Sequence, residues 1–183
     1  MEKNAFIKII KQYGFPQMVL TRHMRSFIGA EISSVTKGTY NHFCWLINEN
    51  TIASQDLIFK IVSLDTYLQG LHIVKFVTDT RWTLEAKARI LEKINTELKY
   101  HWWKRRYDPL AILGQWLGWK WLQDPKADIC SDKIKFIKDE DPDYNLVFPN
   151  PTDVNEYQKI HQATPENNMQ GYLVTGRWLP EDL

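Results

Sequence analysis

Residues 39–55 read Thr39-Tyr40-Asn41-His42-Phe43-Cys44-Trp45-Leu46-Ile47-Asn48-Glu49-Asn50-Thr51-Ile52-Ala53-Ser54-Gln55, and this stretch decides the fold. Thr39 to Ile47 is apolar at both parities of a strand, so it is expected to lie centrally in a sheet, buried on both faces. Asn48-Glu49-Asn50 forms a tight turn, and Thr51 to Gln55 returns as the second strand of a hairpin. Outward from the hairpin, Met18-Val19-Leu20-Thr21 and His72 to Val77 read as further strands, and Leu173 to Trp178 as a last one. Ile58 to Leu64 is ambiguous.

Helical spacing occupies the rest. Phe6 to Tyr13 is weakly amphipathic and is broken by Gly14 and Pro16; Ser26 to Val35 places Phe27, Ile28, Ile32 and Val35 together before Lys37-Gly38 ends it. Thr83 is positioned to cap a helix running to about Tyr100, with Leu84, Ala88, Leu91, Ile94 and Leu98 on one stripe. Tyr107 to Trp119 is a second apolar helical stretch, and Ser131 to Lys138 a third. Pro149 and Pro151 mark a loop, after which Thr152-Asp153 can cap a short helix. The fold class is α+β: a small antiparallel sheet packed against helices, in a single domain over residues 1–183.

Composition narrows the function classes. The chain has 183 residues and a net charge of +1. There is no long basic block, so nucleic acid has no electrostatic handle; Lys104-Arg105-Arg106 reads as a solvated helix end. The first eleven residues lack a continuous apolar core, so no signal peptide is expected. No apolar run reaches the roughly 18–20 residues of a transmembrane segment. A cytoplasmic protein with two free thiols is expected. Eight Trp, eight Tyr and eight Phe imply a packed core, a binding groove or a membrane-surface contact.

Cys130 follows a proline-containing connector and opens the Ser131–Lys138 helix. Oriented N–H groups and the positive end of a helix dipole favour thiolate there, which is the nucleophilic form. The alternative is a small buried hydrophobe. A cysteine nucleophile needs a base, and His42, inside the central strand, is better held than His23, His72, His101 or His161. A core histidine bonded to backbone is the competing account. A third group that orients the ring is sought among Ser54, Gln55 and Asp56, of which Gln55 is preferred, its amide oxygen accepting from the imidazole N–H. Cys44 shares the His42 face but lies mid-strand, so it reads as core.

The order of these features resembles a known family. A strand at Val19-Leu20 comes first, then Tyr40-Asn41-His42 on a strand and a hairpin. Tyr107-Asp108-Pro109-Leu110 and Ile129-Cys130-Ser131-Asp132 follow. This is similar to the circularly permuted NlpC-type hydrolases of the papain-like fold, in which the histidine strand precedes the cysteine helix. The resemblance runs from about Pro16 to Val154. It departs at Pro16-Gln17, where Gly-Asp is frequent, at Asn41 in place of Ser, at Asp132 in place of Glu, and near Gln55, where Glu is often found.

The resemblance implies a sheet carrying His42 and Gln55 packed on the helix that starts at Cys130. Cys130 attacks a carbonyl carbon, and His42 moves the proton. The Cys130 N–H is one oxyanion donor, and Tyr40 and Tyr107 contact substrate. No cofactor and no metal is required. The substrate is then a peptide, a peptidoglycan-type amide or a lipid-acyl group. Hydrolysis of amide bonds is the leading expectation. Acyl transfer, as in relatives of lecithin–retinol acyltransferase, and a non-enzymatic interaction module that keeps the fold are the alternatives.

Overall fold

The computed structural model describes residues 11, 14–22, 40–68, 73–79, 82–106, 108, 110, 113, 114, 117, 128–146, 149, 153, 154, 156, 157, 168–174 and 177–180. The strands are β1 (Gln17–Arg22), β2 (His42–Asn48), β3 (Thr51–Gln55), β4 (Phe59–Ser63), β5 (Ile73–Asp79), β6 (Asn168–Val174) and β7 (Arg177–Pro180). They form one antiparallel sheet in the order β4-β3-β2-β1-β5-β6-β7. The expected hairpin is present, and β2 lies inside the sheet between β1 and β3. The single strand expected over Leu173–Trp178 is instead two paired strands, β6 and β7. The ambiguous Ile58–Leu64 segment splits into β4 and the start of helix α1 (Leu64–Leu68).

Local chemistry explains the boundaries. Asn48 Oδ1 accepts from the Asn50 N–H at 2.9 Å, closing the turn, and the β2–β3 register slips between Leu46 and Asn48. Ser63 Oγ accepts from the Thr66 N–H at 3.1 Å and so caps α1. Helix α2 (Leu84–Leu98) begins at Thr83, whose Oγ1 accepts from the Ala86 N–H at 3.2 Å, as the sequence predicts. Its buried stripe, however, is Ala86, Lys87, Ile90, Ile94 and Glu97. Leu84 and Ala88 are exposed, and Leu91 and Leu98 are only flanking. The stripe rotates because the helix buries a carboxylate, Glu97, that hydropathy alone assigns to solvent.

A 3-10 helix, Cys130–Ile137, takes the place of the expected Ser131–Lys138 helix. It and α2 cover one face of the sheet. Met18, Leu20, Phe43, Trp45, Ala53 and Phe59 from that face pack with Ile90 and Ile94 of α2 and with Ile134 and Ile137. The Trp45 indole N–H donates to the Lys133 carbonyl at 2.9 Å. Lys133, only 1% exposed, donates from Nζ to Glu97 and, at 2.7 Å, to Asp128 Oδ2, and lies 4.8 Å from the centre of the Phe59 ring. Asp128 also holds Lys135 at 2.7 Å; burial opposes its charge, but the two ammonium groups outweigh that and lower its pKa. Outside this core, Arg89 pairs twice with Glu140, and Lys93 reaches Asp139, tying α2 to the chain that leaves the 3-10 helix.

The expected helices at Phe6–Tyr13, apart from Lys11, and Ser26–Val35 lie outside the described residues, as do Tyr107, His23, His72 and His161. Of the Tyr107–Trp119 stretch, residues 110, 113, 114 and 117 are helical, as are 153 and 154 after the Pro149 loop. Among the described residues no helix is long and apolar enough to cross a membrane.

Removing one partner of a buried pair leaves an uncompensated charge. Lys133→Met should therefore cost about 3–5 kcal/mol of unfolding free energy, whereas adding Glu97→Leu in the same chain should recover most of it. Urea denaturation of the two variants checks this; a double variant no better than the single one would mean that Lys133 acts chiefly through Asp128.

Candidate active site

Strand alternation sorts the candidate residues onto two faces. Phe43 and Trp45 point to the helices, so His42 and Cys44 point the other way, where β1 contributes Thr21 opposite His42 and β3 contributes Ser54 opposite Cys44. Tyr67 of α1 covers this face: its hydroxyl lies 3.2 Å from Thr21 Oγ1 and contacts the Cys44 thiol, and its ring centre is 6.2 Å from that of His42.

His42 is held by a chain of polar groups. Its Nε2 is 2.9 Å from Ser54 Oγ, and Ser54 Oγ donates to Asp56 Oδ1 at 3.1 Å. Asp56 Oδ1 itself is 3.8 Å from Nε2. A serine that gives its own proton to a carboxylate accepts with the remaining lone pairs, so Nε2 carries the ring proton. In the neutral ring the basic atom is then Nδ1.

Gln55 does not take part. It lies on the opposite face from Ser54; its Nε2 donates to the Arg105 carbonyl at 2.9 Å, and its buried Oε1 has no hydrogen-bond partner. The group that orients His42 is therefore Ser54 with Asp56. The register slip between Leu46 and Asn48 distinguishes them: regular pairing onward from Asn48–Thr51 would set Gln55 opposite Cys44, and the slip sets Ser54 there instead. Tyr40, expected beside His42, is buried in the core layer with Phe43 and Trp45, because it precedes the first residue of β2 and the strand alternation does not reach it. Tyr67 carried no sequence signal, since its helix falls at the end of the ambiguous segment.

Cys130 opens the 3-10 helix, and Asp132 reaches back to accept from the Ile129 N–H at 2.9 Å. Ser131 Oγ donates to the Pro149 carbonyl, anchoring the helix start to the Pro149 loop. The β2–β3 ladder ends at Cys44–Ser54, and the thiol contacts the backbone of Phe43, the next residue beyond that end. The expectation of a resting thiolate is reversed. Cys130 is 1% exposed, and burial pushes its thiol up to about 12; the backbone N–H groups of Phe43 and Ser131 pull the other way without overcoming it. The negative charges of Asp132 and Asp56 add to the rise. A short 3-10 segment offers too little dipole to offset full desolvation.

Cys44 is core, as expected. Burial raises its pKa further still, and the Tyr67 hydroxyl only partly counters this. Both thiols are free. His101 is exposed and stacks on Trp103. Among the described residues no cluster of His, Cys, Asp or Glu has the makings of a metal centre.

Compared with known proteins, the sequence matches no family model and no curated protein.

Two measurements follow from this electrostatics. A thiol with a pKa of about 12 should react with iodoacetamide in the native state, near pH 7, on the order of a thousandfold more slowly than in urea. Its rate should climb about tenfold per pH unit, with Cys44 slower still. Mass mapping over a pH series checks this; a plateau of fast Cys130 labelling below pH 7 would instead indicate a thiolate–imidazolium pair. Asp132 is the second case, for burial raises its carboxyl from 3.8 to about 6. A raised folded-state value means that stability is fully present below the unfolded value and declines as pH rises towards 6. Asp132→Asn keeps an oxygen for the Ile129 N–H but loses the charge, so it should match wild type near pH 4 and exceed it by up to about 3 kcal/mol above pH 6. Thermal or urea unfolding at the two pH values decides it.

Proposed function

We propose that the chain is a cysteine hydrolase of the permuted papain-like, NlpC-type arrangement, acting on amide bonds of peptide or peptidoglycan type. The observation that carries this reading is the His42–Ser54–Asp56 chain. It fixes the tautomer of a histidine on a strand that precedes, in sequence, a cysteine at a helix start, and the cysteine helix docks on that same strand. An orienting carboxylate relayed through a hydroxyl is what a general base needs and what a merely structural histidine does not.

In this reading Nδ1 of His42 takes the Cys130 proton as sulfur attacks the carbonyl carbon, because a neutral thiol must lose its proton during the attack rather than before it. The imidazolium is stabilised by Asp56 through Ser54 and then protonates the leaving amine. Backbone N–H groups at the helix start receive the developing oxyanion. Water releases the acyl group from sulfur. The free thiols fit a reducing, cytoplasmic setting.

Burial of the Cys130 thiol favours a second reading, a non-enzymatic module in which Cys130 is core. One experiment separates them. Incubation with activated acyl esters and intact-mass measurement should reveal a covalent adduct on wild type, labile to hydroxylamine and absent from Cys130→Ala. His42→Ala should slow acylation by about 10²–10⁴-fold. Ser54→Ala and Asp56→Asn should slow it less, about 10–100-fold, since neither transfers a proton to substrate, and Gln55→Ala should leave the rate close to wild type. No adduct under any of these conditions would favour the structural module.

A further inference from the structure

The segment from Lys99 to Arg106 reads Lys-Tyr-His-Trp-Trp-Lys-Arg-Arg: four cations, three large aromatic residues and no acid. It follows α2 and includes a single 3-10 turn, Trp102–Lys104. Trp102 and Trp103 are 55% and 53% exposed, and Lys99, Tyr100, His101, Lys104 and Arg106 are exposed as well. This is unusual, because large aromatic side chains dominate core energetics and are costly to leave in water. The rings are ordered against one another. His101 stacks on Trp103 at 3.6 Å, Trp102 meets Trp103 edge-on at 5.8 Å, and Lys104 lies 5.7 Å from the centre of the Tyr100 ring.

The patch is fixed to the sheet. The Phe59 N–H donates to the Arg105 carbonyl at 2.8 Å, Arg105 donates back to the Phe59 carbonyl, and Ile58 bridges Arg106. Leu57, 72% exposed, precedes that bridge. Just downstream, Leu110, Leu113 and Leu117 are helical and exposed, and their spacing sets them on one face.

We propose that this surface binds the headgroup region of an anionic lipid bilayer. Tryptophan and tyrosine sit well at the boundary between headgroups and chains, where one edge is apolar and the other wet. Exposed leucines enter the acyl boundary, and Lys99, Lys104 and Arg106 match a negative surface potential. A single-stranded nucleic acid also fits cations and aromatics, but it uses ring faces for stacking, and here the His101 and Trp103 faces are already occupied by each other. Aliphatic Leu110, Leu113 and Leu117 add nothing to nucleic-acid binding and do serve a lipid surface. The inference does not depend on any activity at Cys130.

Co-sedimentation of the full chain with two vesicle types tests it: phosphatidylcholine alone, and phosphatidylcholine with phosphatidylglycerol. The protein should pellet with the anionic vesicles at least about tenfold more strongly than with the neutral ones, and lose that preference in high salt. Trp102→Ala/Trp103→Ala and, separately, Lys99→Glu/Lys104→Glu should each weaken binding by about tenfold or more. Both variants should keep the wild-type unfolding midpoint, because the altered side chains are in solvent. Absence of wild-type pelleting above a vesicle-free control overturns the proposal, as does binding that survives both double substitutions. Two further outcomes would also overturn it: oligonucleotide binding, or self-association in sedimentation velocity, that the tryptophan variant abolishes while the vesicles show none.

Discussion

The ammonium group of Lys133 is the interaction on which the described structure turns. It is buried between a helix carboxylate, Glu97, and a loop carboxylate, Asp128, and lies against the ring of Phe59 on β4. The carbonyl of the same residue accepts the indole N–H of Trp45 on β2. One residue therefore ties α2, the 3-10 helix, the segment before that helix and two strands. A buried charge tolerates little displacement, because an ammonium without its carboxylates in a low-dielectric interior is far more costly than a shifted methyl group. Cys130 lies one turn earlier on the same helix, so its place against β2 is set by the geometry that keeps Lys133 paired.

The same low dielectric governs the chemistry of the thiol. Desolvation raises Cys130, Cys44 and Tyr67 together, and Asp56 contributes to the rise in each. An ionised thiol would thus have to form next to a carboxylate and away from water. A neutral resting thiol follows. The carboxylate that disfavours the thiolate is also the one that holds Ser54, which in turn holds the His42 ring.

Much of the fold was legible because it rests on short-range rules. The hairpin was visible from the Asn48–Asn50 turn between two apolar runs, and the start of α2 from Thr83. What failed were features set by tertiary electrostatics. No periodicity announces that Glu97 turns inward, because only the distant Lys133 makes that burial possible. The position of Cys130 at a helix start was readable, but its titration was not, since helix polarity is a local property and desolvation is a property of everything packed around the site. Gln55 has chemistry that suits the role, but the register slip between Leu46 and Asn48 sets Ser54 opposite Cys44 and leaves Gln55 facing Arg105.

Cys44 and Cys130 differ in a way that strand geometry explains. Cys44 is mid-strand, with Val19 paired to it on one side and Ser54 on the other, so backbone walls its thiol on both flanks. Cys130 meets β2 at Phe43, where pairing with β3 has stopped. Within a continuous ladder, the backbone separates a group on the helix layer from a side chain on the opposite face. Beyond the end of a ladder that separation lapses, and a residue approaching from the helix layer comes against the last strand residues from the side. His42, the residue before Phe43, occupies that end, with Ser54 near the end of β3 and Asp56 just past it. The proposed pairing of Cys130 with His42 therefore requires this end of the β2–β3 ladder, where the Cys130 thiol meets Phe43 and Ser54 and Asp56 hold the His42 ring.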